Sequence, residues 1–161
     1  MKLIIKNKFV SLRGSSTVTD EMGEDVFVVK GKMFSLSNKK FICDLQGNKL
    51  YVVRNKLLPG LLHAAYIYDG EKNKIGKLQI KVALTETYKL ENGTDRIEIK
   101  KNKETKELEF IKNDEVIGVL LKRTTSSKDS FVVDCLKDTE AALLTALVIA
   151  IDNIEDNIAD D

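Results

Sequence analysis

The chain has 161 residues, of which 43% are hydrophobic and 32% are charged, and its formal net charge is +1. This length supplies one sizeable core and not two, because typical domains have about 100 to 150 residues. Two cysteines, Cys43 and Cys135, are too few for the disulfide framework of a small secreted protein. The apolar run after Met1 is cut by Lys6, so we expect no secretion signal and a cytoplasmic location.

The first part of the chain has the pattern of a β protein. Short segments rich in β-branched and aromatic residues alternate with turn-forming clusters of Asn, Asp, Gly and Lys. Apolar and charged residues alternate in residues 96–100 and 107–111, which predicts strands with one buried and one solvent-exposed face. Strands are expected near residues 3–10, 15–20, 25–32, 40–44, 49–54, 64–69, 74–83, 85–90, 94–101, 107–112, 115–122 and 130–136.

A weak repeat recurs between these strands. Residues 20–23, 44–47 and 69–72 each begin with Asp and precede a strand, at spacings of 24 and 25 residues, and residues 113–115 are a looser copy. Asp, Asn and Gly suit tight hairpin turns. Calcium loops are the alternative, but residues 20–25 lack the alternating ligands and the terminal bidentate Glu of such a loop. The repeat therefore predicts hairpin turns.

A helix is predicted over residues 138–156, with Asp138 or Thr139 as its N-cap and Glu140 in its first turn. Only Thr145 interrupts the apolar run of residues 141–151. That run is shorter than the ~20 residues that span a bilayer, and a helix that is apolar on every side must be enclosed. We expect a central core helix that buries, above all, Leu143, Leu144, Leu147, Val148 and Ile151.

The near-neutral net charge conceals an asymmetry. Residues 138–161 contain seven acidic residues and no Lys or Arg, so residues 1–137 carry all 26 basic residues against 18 acidic ones, a net of +8. A basic body could attract phosphate-bearing partners, whereas the acidic end, Asp152 to Asp161, would repel them. The alternative is that the Lys-rich strands are simply solvated faces.

Several segments resemble a known family. They are residues 1–8, residues 29–36 (Val-Lys-Gly-Lys-Met-Phe-Ser-Leu), residues 44–50, residues 56–59 with 66–70, and the closing helix. In this order they resemble the LURP-one-related branch of the tubby C-terminal-like superfamily, and in particular its small bacterial-type members. The resemblance implies one domain over residues 1–161: a closed antiparallel β-barrel of about twelve strands (1–137) around a hydrophobic helix (138–156), followed by an acidic tail (157–161).

The resemblance also implies candidate binding residues. Tubby domains bind phosphoinositide headgroups through a basic pair, separated by one residue, on the barrel exterior. Here Arg54 matches the second basic position, while Val52 falls at the first. Lys56 alternates onto the same face as Arg54 if the strand continues that far. We therefore take Arg54, Lys56, Lys30 and Lys32 as candidate headgroup-binding residues, with a solvated strand edge as the alternative.

Catalytic and cofactor sites are not indicated. His63 is the only histidine, no Gly-x-Ser-x-Gly motif is present, and one His with two distant Cys cannot form a zinc site of standard spacing. We expect no enzyme activity, metal or cofactor. The basic runs at residues 100–103 and 122–123 lack interleaved aromatic residues, so nucleic-acid binding is not expected either.

Two functions remain open. The first is a non-enzymatic, monomeric binding module, in the cytoplasm or peripheral at the membrane, that docks on anionic phospholipid headgroups. The second is a soluble protein-interaction or regulatory module, which would use the acidic end and have no lipid ligand.

Overall fold

The computed structural model describes residues 1–6, 14–31, 36–56, 64–81, 87–91, 94–124 and 130–159. Its strands are β1 (Lys2–Lys6), β2 (Ser15–Asp20), β3 (Asp25–Gly31), β4 (Lys40–Cys43), β5 (Lys49–Asn55), β6 (Ala64–Asp69), β7 (Lys74–Lys81), β8 (Thr87–Glu91), β9 (Ile97–Lys101), β10 (Leu108–Lys112), β11 (Glu115–Thr124) and β12 (Ser130–Cys135). A 3-10 helix, Asp138–Glu140, leads into the α-helix α1, Ala141–Ala159. The prediction of a mainly β chain with one C-terminal helix is confirmed.

All strand pairs are antiparallel, and each strand pairs with its neighbours in the chain. The first strand, β1, pairs both with β2 and with β12, so the strand order around the barrel is β1-β12-β11-β10-β9-β8-β7-β6-β5-β4-β3-β2. Because successive strands run in opposite directions, the connections β2–β3, β4–β5 and β6–β7 lie at the same end of the barrel. We call this end the hairpin end.

The core lies inside the barrel, where alternate residues of the strands meet α1. In β12, for example, Phe131, Val133 and Cys135 are buried while Val132 and Asp134 are half-buried. This is the period of two that the alternating sequence predicted. Cys43 and Cys135 are both free and buried, and burial raises the pKa of each thiol above its ordinary value.

The helix is buried as expected from its apolar sequence. It lies against β4, β5, β6 and β12, and its buried apolar side chains include Leu143, Leu144, Leu147, Val148 and Ile151. The packing against β11 is so close that a Cβ atom on Gly118 would lie 2.8 Å from Cδ1 of Leu144. A larger residue at position 118 would therefore force the Leu144 side chain to repack.

The ends of the helical segment differ from the prediction. Asp138 and Thr139 do not cap an α-helix; they belong to the 3-10 helix, which is preceded by Lys137 and has no side-chain cap. Glu140 accepts a hydrogen bond from Lys112 Nζ at 2.8 Å, which ties this turn to β10. At the other end α1 continues to Ala159, into the segment predicted as a tail.

The acidic end, residues 152–161, begins inside the barrel. This corrects the expectation that Asp152 is part of an acidic surface that repels phosphate-bearing partners. Asp152 and Asn153 are fully buried. Lys40 Nζ lies 3.8 Å from Asp152 Oδ2 inside the barrel. Asn38 and Asn153 exchange two hydrogen bonds of 3.1 and 3.0 Å, and Asn55 Nδ2 donates to the Asn153 carbonyl oxygen at 3.4 Å. These polar contacts join the last turns of the helix to β4, β5 and the residues before β4.

The three predicted turns that begin with Asp are present at the hairpin end, and in each of them the Asp side chain organises the turn. Asp20 Oδ1 accepts hydrogen bonds from the backbone N–H groups of Met22 and Glu24, both at 2.9 Å. Asp44 and Asp69 accept hydrogen bonds in the same way from backbone N–H groups of Asn48 and Asn73, both at 2.8 Å. The weak repeat in the sequence is therefore a repeat of this turn, as side-chain-to-backbone bonding by Asp favours.

Among the described residues, no helix is long and apolar enough to cross a membrane.

Candidate anion-binding groove on the barrel exterior

A groove lies on the outer face of β4, β5 and β6 and encloses a cavity of about 380 Å³. We call it the basic groove. Its lining contains four cationic side chains and no carboxylate, and it consists of Lys39, Phe41, Lys49, Val52, Arg54, Tyr68, Gly70 and Lys72. A concave surface lined by one sign of charge concentrates counter-ions, so the charge of this groove favours an anion over a cation.

The register of three strands builds the floor of the groove. Phe41 of β4 lies opposite Val52 of β5, and Val52 lies opposite Tyr68 of β6. The residues next to them in each strand, such as Val53 and Ile67, are fully buried in the core. Alternation therefore places two aromatic rings and a valine side by side on the outside of the barrel.

Arg54 is held in place by two tyrosines. Its Nη2 atom donates a hydrogen bond to the hydroxyl oxygen of Tyr68 at 2.9 Å. The guanidinium carbon lies 4.9 Å from the ring centroid of Tyr66 and 5.5 Å from that of Tyr68. Neutral rings orient the guanidinium without cancelling its charge, which leaves its remaining donors available for a phosphate.

The lysines also pack on aromatic rings. Lys49 Nζ lies 4.5 Å and Lys39 Nζ 5.5 Å from the centroid of Phe41. Just outside the groove, Lys74 Nζ lies 4.6 Å from the centroid of Tyr66. In the part of the chain that the structure describes, none of Lys49, Lys74 and Arg54 forms an ion pair.

Two Asp-capped turns position the cations at the hairpin end of the groove. Lys49 directly follows the Asp44–Asn48 turn, and Lys72 lies in the Asp69–Asn73 turn with a φ of 69°. Hydrogen bonds from the Asn48 side chain and from backbone N–H groups hold the pKa of Asp44 below its ordinary value, and the Asn73 side chain and backbone do the same for Asp69. Both caps are therefore ionised and formed at neutral pH.

Gly70 sets the spacing between these two turns. A Cβ atom at this position would clash with the backbone carbonyl oxygen of Lys49 and would lie 3.2 Å from its carbonyl carbon. No other residue allows the β6–β7 turn to approach the start of β5 so closely.

The residues proposed from the sequence are placed as follows. Arg54 lines the basic groove. Lys56 follows the last residue of β5, is half-buried and does not line the groove, although its backbone N–H bonds to the carbonyl oxygen of Ala64. Lys30 is exposed on β3, opposite Phe41 in the register, and also lies outside the lining. Lys32 lies outside the described residues, as does His63.

Sequence reasoning missed Lys39, Lys49 and Lys72. Lys49 and Lys72 do carry a signal, since both adjoin the repeated Asp turns. That repeat indicated hairpins, but only the pairing of β4, β5 and β6 shows that two of the hairpins border one groove.

Among the residues that the structure describes, no group of three or more His, Cys, Asp or Glu side chains is arranged to hold a metal ion.

Comparison with known proteins supports the fold. The chain is similar over its length to a protein from Arabidopsis thaliana whose X-ray structure is known, with a TM-score of 0.60 and 17% sequence identity, over 96% of this chain and 91% of that chain. None of the curated proteins matches the sequence. Residues 1–152 match the LURP-one-related family. The chain therefore belongs to the LURP-one-related family, as the resemblance of its segments suggested.

Proposed function

We propose that this protein is a non-enzymatic binding module that docks on anionic phospholipid headgroups through the basic groove. The observation that carries the proposal is the groove itself, in which Lys39, Lys49, Arg54 and Lys72 surround a cavity of about 380 Å³ without a carboxylate. Membership of a family that is not known for enzyme activity is consistent with a binding role. A monomer in the cytoplasm that associates peripherally with the membrane belongs to the same proposal.

The arrangement of the cations suits phosphate. Arg54 offers planar donors that match phosphate oxygens, and its orientation is fixed by Tyr68 before a ligand arrives. Less conformational entropy is then lost on binding, as for any pre-organised site. Lys49 and Lys72 add ammonium groups at the hairpin end, and each basic residue near an anionic leaflet contributes about 1 kcal/mol of attraction.

Co-sedimentation with vesicles tests the proposal. Neutral phosphatidylcholine vesicles are compared with vesicles that also contain phosphatidylserine or a phosphoinositide. We expect binding to the anionic vesicles only, weakened roughly tenfold or more by the double substitution Lys49→Glu with Arg54→Glu.

The matched control is Lys103→Glu with Lys106→Glu. It makes the same change in net charge at two exposed positions between β9 and β10, far from the groove in strand order. Binding that the control weakens as much as the groove variant does would show a non-specific charge effect and contradict the proposal, as would equal binding to neutral and anionic vesicles.

A further inference from the structure

Leu45 is an exposed apolar residue at the tip of the hairpin that borders the basic groove. It lies in the β4–β5 turn with 52% of its surface exposed. Lys49, which lines the groove, is the first residue of the strand that leaves this turn. An exposed leucine beside a cationic groove combines the two properties that interfacial membrane binding requires, apolar area and attraction to anionic lipids.

The exposure of Leu45 is built into the turn. Asp44 accepts hydrogen bonds from the backbone N–H and the side-chain amide of Asn48, at 2.8 and 2.7 Å, and its carbonyl oxygen accepts one from the Gly47 N–H at 3.1 Å. Gly47 has a φ of 90°, which an L residue with a side chain rarely adopts. These bonds order the backbone of the turn that presents Leu45, so less conformational entropy is lost when the tip meets a membrane than a flexible loop would lose.

Another turn at the hairpin end provides a contrast. Met22 is 83% exposed at the β2–β3 tip, in a turn capped by Asp20 in the same way. Its flanking residues are acidic, with Glu21 before it and Glu24 and Asp25 after Gly23. An anionic surface would repel that tip, whereas the Leu45 tip is followed by Lys49 and has Lys72 across the groove.

We infer that the Leu45 tip inserts into the acyl boundary of an anionic bilayer while Lys49 and Lys72 contact the headgroups. The β6–β7 tip, which carries the exposed residues Glu71 and Lys72, stays at the level of the headgroups. This inference rests on the proposed function and deepens it, because it names the partner as a lipid bilayer, not a soluble phosphate ester, and gives the orientation of the barrel on it.

Tryptophan fluorescence tests the inference directly, because the chain contains no tryptophan. Leu45→Trp and Met22→Trp each place a single reporter on an exposed hairpin tip, so neither should disturb the core. With vesicles of phosphatidylcholine and an anionic lipid, we expect a blue shift of emission and quenching by brominated acyl chains for Leu45→Trp only. Addition of a soluble inositol phosphate, without vesicles, should shift neither emission.

A second variant measures the contribution of the leucine. Leu45→Ser should weaken partition onto anionic vesicles about threefold to tenfold, since partial burial of one leucine is lost. Its affinity for the soluble inositol phosphate should be unchanged, because the groove is intact.

Three results would overturn the inference. If Leu45→Trp co-sediments with anionic vesicles but keeps its emission in buffer, the tip does not insert, although the proposed function stands. If Met22→Trp shifts as much as Leu45→Trp, the orientation is wrong. If neither protein binds anionic vesicles, both the inference and the proposed function fail.

Discussion

The buried pair of Lys40 and Asp152 gives the sharpest test of how the helix is held in the barrel. Their side chains are 5% and 0% exposed, and the two charged atoms are 3.8 Å apart. Two charges removed from water stabilise a fold only while each faces the other, because an isolated buried charge loses its hydration without compensation. Substituting one partner should therefore cost far more than substituting both.

The magnitude follows from this burial. Asp152→Leu should lower the free energy of unfolding by about 3 to 5 kcal/mol, because the Lys40 ammonium stays inside the barrel without this carboxylate. This is a large part of the ~5 to 15 kcal/mol that stabilises a typical domain. In a chain of this size it corresponds to a fall in Tm of roughly 6 to 20 °C. Lys40→Met should have a similar cost.

The double variant Lys40→Met with Asp152→Leu should recover most of the loss and unfold within about 1 to 2 kcal/mol of the original protein. Urea denaturation followed by circular dichroism measures all four proteins. The exposed pair of Lys137 and Glu115, whose side chains are 43% and 60% exposed, is the control and should contribute at most about 1 kcal/mol. Additive single-variant losses in the Lys40 and Asp152 cycle would refute the reasoning.

Two further predictions concern the turns beside the groove. Gly70→Ala should destabilise the protein by about 1 to 3 kcal/mol in thermal denaturation and weaken vesicle binding, because its Cβ forces the β6–β7 turn away from Lys49. The control Gly23→Ala, in the β2–β3 turn, should affect stability alone. Equal vesicle binding by Gly70→Ala and the original protein would contradict this prediction. Because the folded-state pKa values of Asp44 and Asp69 lie below the ordinary 3.8, their caps stabilise the fold above that pH and lose this effect as the pH falls through the lowered values. The double variant Asp44→Asn with Asp69→Asn should thus have a lower Tm than the original protein at pH 7 but approach its Tm in strong acid. A Tm difference that is independent of pH would argue against the caps.

The sequence predicts the strands and the helix well because both are governed by local periodicity. Alternation of apolar and charged residues locates β9 and β10, and an apolar run locates α1. The same reasoning fails for Lys40, since a lysine at the start of a strand, directly after another lysine, is expected in solvent. Its position inside the barrel depends on Asp152, which is more than a hundred residues away in the chain. No local sequence pattern indicates that these two residues pair.

The groove could be predicted only in part for a similar reason. Arg54 was identified by resemblance to a basic position in a family, but its neighbours on the barrel are decided by the register of separate strands. Phe41, Val52 and Tyr68 become one row only when β4, β5 and β6 pair as they do. Alternation with Arg54 instead favoured Lys56, and Lys30 was a further candidate; both lie outside the lining.

The fate of the acidic residues explains how a nearly neutral chain presents a cationic groove. Asp44 is the carboxylate closest in sequence to Lys49, and Asp69 begins the turn that contains Lys72. Both Asp side chains accept hydrogen bonds from N–H groups of their own turns. Asp152 is withdrawn into the barrel, where it faces Lys40. Each of these carboxylates interacts with groups that stabilise the fold, and none of them pairs with a cation of the groove. The Asp turns thus shape the hairpins and at the same time keep Lys49 and Lys72 available for an external anion.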